Sequence, residues 1–258
     1  MPRFAANLSF LFNEVPFPDR FAAAAEQGFT ACEFMFPYDY EAASLHQRLE
    51  TNGLRLVLFN AAQGNWEAGE RGIAAVPGRE AEFDAAISRA AGYARVLGNK
   101  LVHVMAGLET QGASRSTFIA NLRRGADRVA GDGLTLIIEP INTRDMPGYF
   151  LNRTTQALDI LADVGRANVG LQFDLYHRHI MDGDVEAGLR EAKTVIRHMQ
   201  IASPPDRGEP GKGELDFKRL FDVIDRSGYE GYIGLEYKPR AGTVPGLAWA
   251  KALGVRFS

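Results

Sequence analysis

The sequence predicts an α/β fold, a single (β/α)8 TIM barrel over residues 1–258, with its active site at the C-terminal ends of the strands. Three observations lead there. Short apolar runs alternate with helical patterns along the chain, as in a parallel sheet wrapped by helices. The length of 258 residues suits the roughly 250 that eight βα units need. Four runs in the second half each end in a residue that can bind a cation or move a proton: LTLIIE at Glu139, VGLQFD at Asp174, IRHMQ at Gln200 and GYIGLE at Glu236. A buried strand gains nothing from a carboxylate at its tip, whereas a barrel gathers its strand tips at one mouth.

Strands are expected over 4–10, 29–35, 54–60, 100–105, 134–139, 169–174, 196–201 and 231–236. Most are apolar without polar alternation, as parallel strands covered on both faces should be. Helical stretches lie between them, among them DRFAAAAEQG, EAASLHQRLETNG and REAEFDAAISRAAGYARVLG, ending at Gly28, Gly53 and Gly98. The third puts Phe83, Ile87, Ala90, Ala91 and Ala94 on one stripe, which is helical periodicity. An open doubly wound sheet would want a glycine-rich fingerprint after the first strand, and ANLSFLFNEVPF has none. Two long loops, AAQGNWEAGERGIAAVPGRE after the third strand and ASPPDRGEPGKGELD after the seventh, leave strand C-termini, where lids and binding loops are common.

Composition narrows the function classes. A net charge of −3 gives no reason to expect nucleic acid or an anionic membrane as partner. The single cysteine, Cys32, excludes an internal disulfide and a multi-cysteine zinc site, and fits a cytoplasmic location. No signal peptide or membrane-spanning run is visible. Walker, GxGxxG and GxSxG motifs are absent, so no nucleotide cofactor is expected and nucleophilic hydrolysis has little support.

Glu139, Asp174, Gln200 and Glu236 come from four consecutive strands and offer the oxygens a hard divalent cation takes. Without the cation, three carboxylates so close would raise each other's pKa values. The plainer alternative gives each its own salt bridge or helix cap. His177, three residues past Asp174, could bind a substrate oxygen; His179 completes a weak His-x-His pair. His103 reads as a buried, satisfied strand histidine, and His198 as structural, deeper in the barrel than Gln200. Arg207 is the expected anchor for an anionic substrate, or else a loop arginine paired with Glu209. Lys238 lies close to Glu236, Glu70 and Arg71 could close over a ligand, and Trp66 could exclude water from it.

In RFAANLSFLF, EFMFPYDY, WEAGERGIAAVPGRE, IEPINTRDMPGYFL, QFDLYH, QIASPPDRGEPGKGE and EYKP, the sequence resembles the hydroxypyruvate isomerase family of the xylose-isomerase-like TIM barrels. The similarity runs from residue 3 to about 240, while the terminal LAWAKALGVRFS is less family-like. The resemblance implies a divalent metal ion (Mg, Mn or Zn) held by Glu139, Asp174, Gln200 and Glu236, with Glu139 and Glu236 as the acid/base pair. It further implies conversion of hydroxypyruvate to tartronate semialdehyde through an enediolate, with a small keto-acid as partner. Apart from the resemblance, a homo-oligomer is one expected assembly. Related sugar epimerases usually have histidine where this chain has Gln200. 2-Oxo-tetronate isomerase shares much of the pattern, and EPINTRDMPGYF favours the hydroxypyruvate enzyme. The other readings are a ketose 3-epimerase and a non-catalytic sugar-acid binding protein. A zinc-dependent endonuclease would want a basic surface and more than five histidines.

Overall fold

A computed structural model describes residues 2–211 and 213–257. Nine parallel strands follow in chain order: β1 Arg3–Asn7, β2 Ala31–Glu33, β3 Arg55–Leu56, β4 Leu58–Asn60, β5 Leu101–His103, β6 Thr135–Ile138, β7 Val169–Asp174, β8 Ile196–Ile201 and β9 Tyr232–Leu235. Their order in the sheet is β3-β2-β1-β9-β8-β7-β6-β5-β4. The two ends of that order, β3 and β4, are halves of the expected run 54–60 on either side of Val57. Hydrogen bonds from Val57 N to Cys32 O (2.9 Å), Phe34 N to Leu58 O (3.2 Å) and Asn60 N to Met35 O (2.7 Å) join them. The barrel therefore closes along the third of its eight strand positions.

The first expected strand, 4–10, is shortened to Arg3–Asn7. The side chain of Asn7 stops it, because Oδ1 accepts the Ser9 amide (3.0 Å) and turns the chain inward at the mouth. The helices Arg115–Val129 and Thr154–Val164 pack on β6 and β7, with Phe118, Leu122 and Ala126 and with Ala157, Ile160 and Leu161 buried. The longest, Glu80–Leu97, buries Phe83, Ile87, Ala90, Ala91 and Ala94, the stripe read from the sequence. It ends at Gly98 with φ 79, a left-handed position that glycine adopts without a Cβ clash. Among the described residues no helix is long and apolar enough to cross a membrane.

Candidate active site

The mouth of the barrel encloses a cavity of about 350 Å³. Trp66, Arg71, His103, Glu139, Asp145, Gln172, His177, Arg207, Glu236 and Lys238 all contribute to its wall. The four expected strand-tip residues meet at this mouth, Glu139 and Glu236 in the cavity wall, Asp174 and Gln200 buried and not lining it. Glu139 follows β6 directly, Asp174 ends β7, Gln200 is the penultimate residue of β8 and Glu236 follows β9. Backbone register sets Asp174 opposite Gln200 and Gln200 opposite Gly234, so the tips are adjacent because parallel strands of a barrel end at one level.

Asp174 also caps the helix Leu175–Asp182, its Oδ1 accepting the Tyr176 amide at 2.7 Å. The cap fixes the carboxylate and leaves Oδ2 buried without a hydrogen-bond partner among the described residues, as is Oε1 of Glu139. Buried polar atoms are almost always paired, so two bare carboxylate oxygens side by side suit a divalent cation. His177 completes a buried group whose ligand atoms all lie within 4.8 Å of one another.

Burial, with Glu236 and Asp174 close by, pushes the Glu139 carboxyl well above the usual range. Burial likewise pushes Glu236 up to about 8 and Asp174 up to about 6, both against the pull of the Arg207 guanidinium. Glu236 is densely held: Arg207 donates to Oε1, while Asn7 (2.9 Å) and Gln200 (2.7 Å) donate to Oε2.

The His177 ring is set by Asn142. Asn142 Oδ1 accepts the amides of Arg144 (3.0 Å) and Asp145 (2.8 Å), which turns its NH2 toward His177 Nδ1 at 2.6 Å. The backbone N–H of Asn142 points at the same nitrogen at 3.3 Å. A nitrogen facing two donors must accept, so the proton sits on Nε2. Nε2 lies 3.8 Å from Asp174 Oδ2 and 4.0 Å from Glu139 Oε1. Burial, then the charge of the Arg207 guanidinium, hold the imidazole well below its usual pKa. As partnered here, His177 offers an N–H to a substrate oxygen; serving as a metal ligand through Nε2 would require Asn142 to release Nδ1.

Several side chains sit differently from the sequence expectation. Arg207 pairs with Glu236 and Asp145 (3.3 Å), not with Glu209, which is taken by Arg240. It does so from a left-handed backbone, φ 57, inside the turn bridged by Ser203 and Gly208. Glu70 does not line the cavity. Its carboxylate braces its own loop, binding Arg79 at 2.7 Å and the Asn65 amide at 2.6 Å. Arg71 and Trp66 do reach the cavity, with the guanidinium 3.8 Å over the indole. His179 faces Glu214 at 2.7 Å, away from the cluster. His103 is buried but not satisfied: among the described residues Nε2 has no hydrogen-bond partner, and it lies 3.7 Å from Glu139 Oε2. Burial, with His198 beside it, drives that imidazole down to about 3, so it faces the cavity uncharged.

Sequence reasoning missed Asn7, Glu33, Asn60 and His103 as members of the mouth. Each ends a strand in the structure as Asp174 does, but only Asn60 ends its run in the sequence, since apolar residues continue past Asn7, Glu33 and His103.

Comparison with known proteins places this arrangement. The family described as "Xylose isomerase-like TIM barrel" matches residues 21–253. The chain belongs to that family. It is 55% identical over 255 residues to a protein of Cupriavidus necator named 2-oxo-tetronate isomerase, covering 97% of this chain and 98% of the relative. It is 46% identical over 253 residues to the Escherichia coli hydroxypyruvate isomerase, covering 96% of this chain and 98% of that one. A Brucella melitensis crystal structure titled "AP endonuclease, family 2" superposes with a TM-score of 0.95 at 48% identity, covering 98% and 99% of the two chains.

Proposed function

We propose that this protein is an aldose–ketose type isomerase of short 2-oxo acids, interconverting hydroxypyruvate and tartronate semialdehyde. One observation carries the reading: two buried glutamates, Glu139 and Glu236, with carboxyls raised by burial, face one small cavity at the strand tips. The reaction moves a proton from C3 to C2 while the carbonyl moves the opposite way, so it needs a base and an acid on adjacent carbons. A carboxyl raised toward neutrality serves either role. Nε2–H of His177 stands beside the same group and supplies a hydrogen bond to the oxygen that gains charge in the enediolate. Lys238 and Arg71 bring positive charge to the cavity wall for the substrate carboxylate, with Arg207 deeper and tied to Glu236.

The bare oxygens of Glu139 and Asp174 fit a divalent ion, with Gln200 and Glu236 as the further proposed ligands. When bound, the ion supplies positive charge next to the substrate oxygens. A cytoplasmic location and a small-molecule partner accord with this reading.

The second reading, 2-oxo-tetronate as substrate, is favoured by the 55% identity to the Cupriavidus necator protein. Both substrates exchange a proton between C2 and C3; the longer one adds a hydroxymethyl group at C3. A nuclease is disfavoured by the small cavity and the net charge of −3. Product NMR from hydroxypyruvate and from 2-oxo-tetronate, side by side with an abasic-site oligonucleotide, separates the three. Glu139→Gln and Glu236→Gln are each expected to lower kcat by about 10²–10⁴-fold. Near-native turnover in either variant removes that residue from the proton transfer.

A further inference from the structure

Glu33 ends β2, and it is 1% exposed. Three side chains donate to it: Asn7 Nδ2 to Oε1 at 3.0 Å, Gln200 Nε2 to Oε1 at 2.7 Å, and His198 Nε2 to Oε2 at 2.6 Å. Asn7 and Gln200 each use their second amide hydrogen on Glu236 Oε2. Two carboxylates are thus bridged by two NH2 groups, all within the barrel.

The bridge constrains orientation. An amide has one donor end and one acceptor end, and they exchange when the group rotates by half a turn. Gln200 faces carboxylate oxygens of both Glu33 and Glu236, so its NH2 must point there. Its Oε1 is then forced the other way, where it accepts from Gln172 Nε2 at 2.6 Å on the Asp174 side of the mouth. Asn7 is fixed independently, because its Oδ1 already accepts the Ser9 amide. His198, fully buried, backs Glu33 from below and has, among the described residues, no partner for its other ring nitrogen. The barrel also clears space for this carboxylate. A Cβ on Gly234 would overlap the Glu33 carboxylate, and Gly234 has no positive φ that would otherwise call for glycine.

We propose that Glu33, backed by His198, is a positioning residue that fixes the Gln200 amide and, through Asn7 and Gln200, the Glu236 carboxylate. Without Glu33, Gln200 loses the partner that keeps its carbonyl toward Asp174, and Glu236 loses the rigid frame on its Oε2. Glu33 itself does not line the cavity, so it acts through these neighbours and not on substrate. The consequence for turnover rests on the reading of Glu236 as a proton-transfer residue; the consequence for the Gln200 amide does not.

The test uses Glu33→Gln, His198→Leu and His198→Gln in the full chain. Steady-state kinetics with hydroxypyruvate is followed together with hydrogen exchange of the Gln200 side-chain NH2 by NMR, assigned by its loss in Gln200→Ala. Glu33→Gln is expected to lower kcat roughly 10–100-fold with KM within about threefold, the range for residues one step behind a site. The Gln200 NH2 is expected to exchange faster by about tenfold or more, as an amide that has lost an ionic acceptor. His198→Leu moves both readouts in the same direction. His198→Gln keeps a donor at the Nε2 position and stays within about threefold of native. Unchanged amide exchange in Glu33→Gln overturns the proposal, as does unchanged kcat while Glu236→Gln is inactive. If Glu236→Gln keeps its turnover, the catalytic reading fails and the amide exchange alone judges Glu33. If Glu33→Gln does not fold, the same two readouts on the His198 pair decide, and indistinguishable leucine and glutamine variants overturn it.

Discussion

The proton on His177 is placed by a neighbour that no catalytic motif would single out. Asn142 is itself oriented by two backbone amides, so the tautomer is a consequence of the turn after β6. Asn142→Asp exchanges the donor facing Nδ1 for an acceptor and is expected to move the proton to Nδ1. The ¹⁵N shifts of the two ring nitrogens report this directly, and kcat should fall by about 10-fold or more as the hydrogen bond to substrate is lost. Unaltered ¹⁵N shifts would show that Asn142 does not control the ring. Arg207 also gains a second role from its surroundings. Its pairing with Glu236 means that Arg207→Ala removes a positive charge from Glu236 as well as from the cavity. Both a higher KM and a lower kcat are expected from it, and a pure KM effect would assign the guanidinium to substrate binding alone.

Helix ends in this barrel are secured by side chains from neighbouring elements, not only by local caps. Asp182, at the end of the helix that Asp174 begins, accepts the amide of Thr154 at 3.1 Å, the first residue of the helix Thr154–Val164. Burial acts to raise the Asp182 carboxyl, but the Thr154 amide with Arg153 and Arg178 outweighs it, leaving the group below its usual value. A depressed folded pKa stabilises the protein above the unfolded value of about 3.9 and stops doing so as pH falls through the folded value. Asp182→Ala is expected to cost about 1 kcal/mol at neutral pH, comparable to a lost helix cap. The gap between variant and native protein in urea unfolding should shrink below about pH 4; a gap independent of pH would mean that packing, not the carboxylate, is responsible. The same elements show what a one-dimensional reading captured. The stripe Phe83, Ile87, Ala90, Ala91 and Ala94 repeats every three to four residues, so periodicity alone placed it. The end of β1 was misjudged by three residues, because the apolar LSFLF continues the run while a single side-chain hydrogen bond at Asn7 turns the backbone.

Across the whole molecule, all eight barrel strands deliver a buried polar residue to the mouth: Asn7, Glu33, Asn60, His103, Glu139, Asp174, Gln200 and Glu236. Three carboxyls of this ring are raised by burial, a cost that a bound divalent ion would relieve. Removing divalent ions by chelation is therefore expected to abolish turnover and lower Tm. An ion at about 100 times its Kd contributes about 2.7 kcal/mol, or roughly 5–10 °C for a chain of this size. A Tm indifferent to chelation and to Mn²⁺ addition would remove the ion from the native site. The sequence by itself determined the barrel, the four strand tips of its second half and the stripe of its longest helix. Each of these is a local pattern: a period, a run length, or a polar residue ending an apolar run. Only the tertiary structure decided that Gln200 bonds to Glu33 and Asn7 to Glu236, that Glu70 serves Arg79, and that Arg207 serves Glu236. Those partners lie 9 to 229 positions apart or are chosen among several nearby charges. Barrel closure brings them together, and competition among buried donors and acceptors selects which of them pair.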